Sequence, residues 1–229
     1  MEEKERKITP WKIVKWTFLG ISILVYAVIF TRIFVSKDAK ISDDIILTTD
    51  EKSAFEDYEK DYPVYHYQPT AWMNENGSLQ IKNINYLEPI KELQFTVRYR
   101  ISTFETKDKK SPLIFKIRSV AEVDGVEAEL VFENLEFHTE TRYEHKYIRI
   151  CCPNITIDDG EKKTYKAQRI DKDGNVTYET VTETVGGTNV YLDVYDAESG
   201  EHLYIFSLAG KDVNNSRVRR KKLDVRIID

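Results

Sequence analysis

The 229-residue chain holds 41% apolar and 32% charged residues with 9 Gly and 6 Pro, which excludes collagen-like, linker-dominated and disordered classes. Two cysteines exclude a disulfide scaffold and a four-cysteine zinc site. A net charge of -5 argues against a nucleic-acid partner, which calls for a basic face.

Residues 16–35 form an apolar run with one charge, Arg32. At 1.5 Å per residue such a run covers about 30 Å, the thickness of a bilayer core. Thr9-Pro10 reads as an N-cap followed by proline at the first helical position, so a helix is expected over 10–36. Trp11 and Trp16 suit an interfacial aromatic belt, and Arg32 suits a snorkelling position near the far end. Lys4, Arg6, Lys7, Lys12 and Lys15 precede the span, and Lys37 and Lys40 follow it. That asymmetry favours a cytoplasmic N-terminus and an extracytoplasmic body. Ser36-Lys37-Asp38-Ala39-Lys40 offers no small-x-small cleavage pair, so an uncleaved single-pass signal anchor in the cell membrane is expected, with residues 16–35 in the bilayer. Residues 37–229 then carry 28 basic and 36 acidic side chains, a net of -8, which disfavours lipid-headgroup binding. Within the span, Thr17, Gly20, Leu24, Ala27 and Thr31 fall at steps of three and four, a candidate face for packing against another membrane helix.

Residues 37–47 read as a polar stem ending in Ile45-Ile46-Leu47. Thr48 and Glu51 offer a capping box, and Ala54, Phe55 and Tyr58 follow at helical spacing, so a short helix is expected over 49–60. Tyr58, Tyr62, Tyr65, Tyr67 and Trp72 form an aromatic stretch beside it. Aromatic faces are enriched at interfaces, which makes Tyr62, Tyr65, Tyr67 and Trp72 the candidate partner surface. The same rings would otherwise fill the edge of a first strand.

From Leu79 on the period is two. Leu93, Phe95, Val97, Tyr99 and Ile101 share one face, and Gln94, Thr96, Arg98, Arg100 and Ser102 the other, expected to be wet. Alternation continues around Leu113, Val126, Tyr147, Val190, Leu203 and Leu223. Asp173-Gly174 signals a hairpin between 163–170 and 176–184, and Asp124-Gly125 and Ser199-Gly200 mark further turns. About nine strands with half-polar patterning imply a mainly β fold: an antiparallel, immunoglobulin-like sandwich, with an open barrel second. Its expected core is Leu93, Phe95, Val97 and Tyr99 with Leu130, Phe132, Leu192 and Leu203. The implied organisation is tail and anchor over 1–36, stem over 37–78 and extracytoplasmic β-domain over 79–229.

The anchor helix, the acidic stem helix 43–57 and the string Glu92-Leu93-Gln94-Phe95-Thr96-Val97-Arg98-Tyr99 together resemble uncharacterised single-pass proteins of Gram-positive anaerobic bacteria. The resemblance covers residues 10–105. It implies a membrane-anchored protein with a small extracytoplasmic β-domain and carries over no catalytic residue.

Chemistry-bearing motifs are sparse. His66, His138, His145 and His202 have no metal-ligand spacing. Cys151-Cys152 point to opposite faces of a strand and are expected to be free, at least one of them buried. Asp171, Asp173 and Asn175 resemble a calcium loop, but Val176 and Thr182 stand where an EF-hand needs Gly and Glu. Four Asn-x-Ser/Thr sites, at Asn76, Asn154, Asn175 and Asn214, also fit plain turn chemistry. Arg217, Arg219, Arg220, Lys221 and Lys222 form a basic entry to the last strand. No phosphate-binding or nucleophile motif is present, and no cofactor is expected. The expected function is a tethered interaction module with a protein partner, accessory to an envelope or secretion assembly. An envelope glycan hydrolase or transferase is the alternative.

Overall fold

A computed structural model gives the structure and describes residues 10–58, 64–105, 112–123, 126–170, 172, 176–211, 213–218 and 224–228. Two compact units divide the chain, residues 1–38 and 39–229. The first is the helix α1 (Pro10–Ser36), long and apolar enough to cross a membrane over Pro10–Arg32.

The second unit is mainly β. In order it holds a 3-10 turn (Lys40–Ser42), β1 (Ile45–Leu47), α2 (Thr49–Tyr58), β2 (Val64–Gln68), β3 (Leu79–Leu87), a second 3-10 turn (Glu88–Ile90), β4 (Glu92–Arg100), α3 (Ile101–Phe104) and β5 (Leu113–Val123). There follow β6 (Val126–Phe132), β7 (Glu136–Arg142), β8 (His145–Cys152), β9 (Glu161–Ile170), β10 (Val176–Val185), β11 (Thr188–Asp196), β12 (His202–Gly210), β13 (Asn214–Arg217) and β14 (Val225–Ile227). The capping box forms as expected. The Thr48 N–H donates to Glu51 Oε2 at 2.8 Å, and the Glu51 N–H donates to Thr48 Oγ1 at 3.3 Å.

Six strands make one antiparallel sheet in the order β13-β2-β3-β4-β8-β7, and four make another, β12-β11-β5-β6. The sheets bury one shared core. Leu93, Phe95, Val97, Tyr99 and Ile150 come from the larger sheet, and Phe115, Ile117, Leu192, Val194 and Leu208 from the smaller. The alternation along β4 therefore places its apolar face correctly up to Tyr99, whereas Ile101 falls in α3.

Three expectations need correction. Leu130 is not in the core: it is 59% exposed, because β6 is an edge strand that extends past the cover of the other sheet. Leu203 and Phe132 only border the core. Around Leu203, Val194 pairs with Tyr204 and Tyr195 with His202, a bulge that shifts the alternation by one. Phe206, opposite the buried Leu192, turns inward, and Ile205, opposite Asp193, is exposed.

The third correction concerns the other face of β4. Gln94 and Thr96 are fully buried, not wet. The cover comes from the segment read as a stem: Ala39, Ile41, Ile45, Ile46 and Leu47 are all buried. β1 pairs in parallel with β14, Ile45 opposite Val225 and Leu47 opposite Ile227, and this two-stranded strap closes the outer face of the larger sheet. Residues 39–78 thus belong to the same compact unit as residues 79–229.

Besides the strap, a second pair of strands joins neither sheet. β9 and β10 pair only with each other, in an unbroken register from Glu161 opposite Val185 to Ile170 opposite Val176. This is the hairpin expected from Asp173-Gly174, two turn residues that lie outside the described ones. At its root the Gly187 backbone passes so close to Asp158 that an added Cβ would sit 2.9 Å from the Asp158 carbonyl oxygen. With φ at +86°, only glycine is unstrained there.

Candidate functional site

Of the expected partner surface, Tyr65, Tyr67 and Trp72 are described and do not share one exposed face. Tyr67 lies on β2 and is buried at 2% exposure, its hydroxyl donating to Asp159 Oδ1 at 3.0 Å. Burial, then the nearby Asp159 carboxylate, holds its phenol well above the usual range. Tyr65 is half-buried against the core, Trp72 is exposed and Tyr62 lies outside the described residues. Tyr65 and Tyr67 pack against the core, because β2 is an interior strand between β13 and β3.

On α1 the residues Thr17, Gly20, Leu24, Ala27 and Thr31 are all exposed. The two hydroxyls are satisfied within the helix: Thr17 donates to the Ile13 carbonyl at 2.9 Å and Thr31 to the Ala27 carbonyl at 2.7 Å. The face therefore offers close approach at Gly20, where a Cβ would meet open space, with both hydroxyl protons already donated within the helix.

The histidines stay apart from one another. His66 contacts Asn85, His145 contacts Arg98 and His202 contacts Asp193. Among the described residues no group of three His, Cys, Asp or Glu is placed to hold a metal. Asn76 caps a turn by accepting from the Ser78 N–H, and Asn154 has a positive φ of 61°, so both sequons serve as turn chemistry. Of the basic cluster only Arg217 is described, at the end of β13. The Asp171, Asp173 and Asn175 loop lies outside the described residues.

Two features that the sequence did not single out stand out in the structure. The first is a buried polar cluster under the strap. Gln94 lies opposite Cys151, and Thr96 opposite Arg149, on the covered face of β4 and β8. Gln94 clamps β1: its Oε1 accepts from the Ile46 N–H at 3.0 Å, and its Nε2 donates to the Ile46 carbonyl and to Glu92 Oε1. Arg149 is wholly buried and donates to the Asn83 carbonyl at 2.9 Å, to Thr96 Oγ1 and to Gln94 Oε1 at 3.3 Å. Asn83 sits in a β-bulge of β3 at φ 49°, which also lets its amide donate to the Ser42 carbonyl at 2.8 Å.

Two atoms of the cluster, Glu92 Oε2 and Arg149 Nε, are buried without a hydrogen-bond partner. Burial pushes the Glu92 carboxyl up to about 7, against the pull of the Gln94 hydrogen bond. Burial lowers Arg149 to about 10, which leaves it charged at neutral pH. The Cys151 and Cys152 thiols are free and buried; desolvation, then the Glu92 charge, raises both, Cys152 to about 12. The hydrogen bonds of Gln94 tie the strap to this cluster. Its one sequence signal is a lone arginine within Tyr147-Ile148-Arg149-Ile150-Cys151-Cys152.

The second feature is the pair of unpartnered strand edges. The β9–β10 arm exposes Val176, Tyr178 and Val185, and none of its described residues is in the buried core. β6 exposes Val126, Leu130 and Val131 on an edge with no outer neighbour among the described residues. No family model, curated protein or solved structure matches the chain. The resemblance noted for residues 10–105 rests on its own motifs.

Proposed function

We propose that the protein is a membrane-tethered, extracytoplasmic binding module, accessory to a larger envelope or secretion assembly. In this reading α1 is an uncleaved signal anchor with its N-terminus in the cytoplasm, and the two sheets form an immunoglobulin-like sandwich. The β9–β10 arm is the part that meets a protein partner.

One observation carries the reading: a hairpin of two ten-residue strands, paired along its whole length, has none of its described residues in the buried core. An isolated two-stranded hairpin is marginal in water, and an exposed strand edge is a liability that proteins normally remove. An arm that keeps both, with large apolar side chains in solvent, fits strand-to-strand recognition of another chain. The acidic balance of residues 37–229 fits a protein partner better than an anionic polymer or lipid surface.

The test is crosslinking in intact cells. A variant in which residues 163–183 give way to an Asn-Gly turn joins Lys162 to Thr184, which are register partners, so the root stays paired. It should keep the strand content of the rest and lose the crosslinks of the full chain. Unchanged crosslinks would overturn the reading. Orientation is tested by thiol labelling: a cysteine placed at residue 200 is reached from outside and one placed at residue 5 is not, and the reverse pattern refutes the topology.

A further inference from the structure

We infer that two copies of this chain exchange their arms, the outer edge of β9 in each adding onto the outer edge of β6 in the other. The inference rests on the binding-module reading and names the partner as a second copy.

The four edges of the two sheets are not alike. β13 is four polar residues long, Asn214 to Arg217. β12 is broken by two bulges against β11. β7 carries one large apolar residue, Phe137, among charged and hydroxyl side chains. Each of these is a recognised way to blunt an edge. β6 differs: its seven residues pair with β5 without a break, from Phe132 opposite Ile117 to Val126 opposite Val123. It has no proline, glycine or lysine, and it exposes Val126, Leu130 and Val131. Such a strand is a template for another.

Charge selects what is added. β6 carries Glu127 and Glu129 and no basic residue. In the arm, charge is sorted by strand: β9 has three lysines and an arginine against one glutamate, whereas β10 has Glu179 and Glu183 and no basic residue. β6 against a second β6, or against β10, sets acid beside acid, which disfavours pairing. β9 against β6 sets lysine beside glutamate and leaves β10 as the new, acidic edge.

Position allows the exchange to be reciprocal. β11 begins at Thr188, opposite Ala121, so the last two residues of β5, with β6 beside them, reach past it. The arm enters β11 through Gly186-Gly187, at that same end of the sheet. One twofold axis beside that end brings each arm to the other copy's β6. Exchange about such an axis closes as a dimer instead of growing into a filament.

The experiment uses the full chain in detergent. Lys166→Cys and Leu130→Cys are made separately and mixed with a short bis-maleimide, whose span tolerates a slip of a residue or two in register. The native thiols are buried and stay in place. The expected result is a crosslinked dimer from the mixture, at least ten times the yield from either variant alone. The parent chain should have twice its single-chain mass by light scattering, and replacement of residues 163–183 should return it to one. Glu127→Lys should weaken association at least threefold at low salt.

A dimer that survives loss of the arm comes from elsewhere and overturns the inference, as does a crosslink formed only when both cysteines sit on one chain. A single-chain mass for the parent, with the arm still crosslinked to another protein in cells, overturns arm exchange and leaves the binding-module reading standing. A single-chain mass with arm-independent crosslinks removes both.

Discussion

Glu92 makes the stability of the β-unit depend on pH in a direction opposite to that of an ordinary surface carboxylate. Its side chain is 3% exposed, one oxygen accepts from Gln94 and the other has no partner. The folded chain thus holds its proton up to about pH 7, whereas the unfolded chain releases it near about 4.5. Because the folded state binds the proton more tightly, its contribution is complete below the unfolded value and is lost as pH rises through 7. A tenfold change in proton affinity is worth about 1.4 kcal/mol, so the ionised carboxylate costs roughly 3 kcal/mol at pH 8. Glu92→Gln keeps the shape and removes the titration. Denaturant unfolding of the full chain in detergent, followed by strand circular dichroism, should find the variant and parent within about 1 kcal/mol at pH 5. At pH 8 the variant should be more stable by about 2–3 kcal/mol. A difference that stays flat from pH 5 to 8, or that shrinks as pH rises, would refute the account.

Three further outcomes follow from the two faces of β4 and from the thiols. Phe95→Ala empties a fully buried site and should cost about 3–5 kcal/mol, while Thr96→Ala, which strips partners from Arg149 and the Ser42 carbonyl, should cost about 1–2 kcal/mol by the same unfolding assay. A loss below about 0.5 kcal/mol for Thr96→Ala would mean that this face is wet after all. Gln94→Leu leaves the Ile46 N–H and carbonyl without the partners they now have, so amide exchange at Ile46 should speed at least tenfold while exchange at Val97 changes little. Cys151 and Cys152, buried with raised thiols, should react with a thiol reagent at pH 8 only as fast as the chain opens, and rapid labelling of the native protein would contradict the packing under the strap.

Much of the fold is written locally. The apolar run, the proline at position 10 and the Thr48–Glu51 box suffice for α1 and α2, and the period-two strings locate most strands. What local pattern cannot report is the cover on a strand's second face. Gln94 and Thr96 look like solvent-facing residues until Ile45–Leu47 pairs with Val225–Ile227, some 180 positions later in the chain. Leu203-Tyr204-Ile205-Phe206 is apolar at every position, so its phase shows only once Phe206 pairs with Leu192 and Leu203 falls in a bulge. The aromatic stretch was legible as aromatic, but whether its rings face a partner or a core depends on β13 arriving beside β2. Arg149 was the one residue of the buried cluster that a sequence could flag, since a lone cation within an apolar run must find buried acceptors or leave the interior.

The arm shows why edge recognition, and not face recognition, fits its sequence. A hairpin that docks by one face gathers its apolar residues on that face, since residues two apart point the same way. β10 does the reverse: Val176 and Tyr178 lie on one face, Val181 and Val185 on the other. By register, neither face of β10 gathers all of its large apolar residues. The property that does segregate is charge, and it segregates between β9 and β10, that is, between the two edges. A difference between edges can be read only by a strand lying alongside, whose backbone supplies the hydrogen bonds and whose alternate side chains meet both faces at once. β6 is such a strand on this chain: unbroken in its register with β5, acidic, and without an outer neighbour among the described residues.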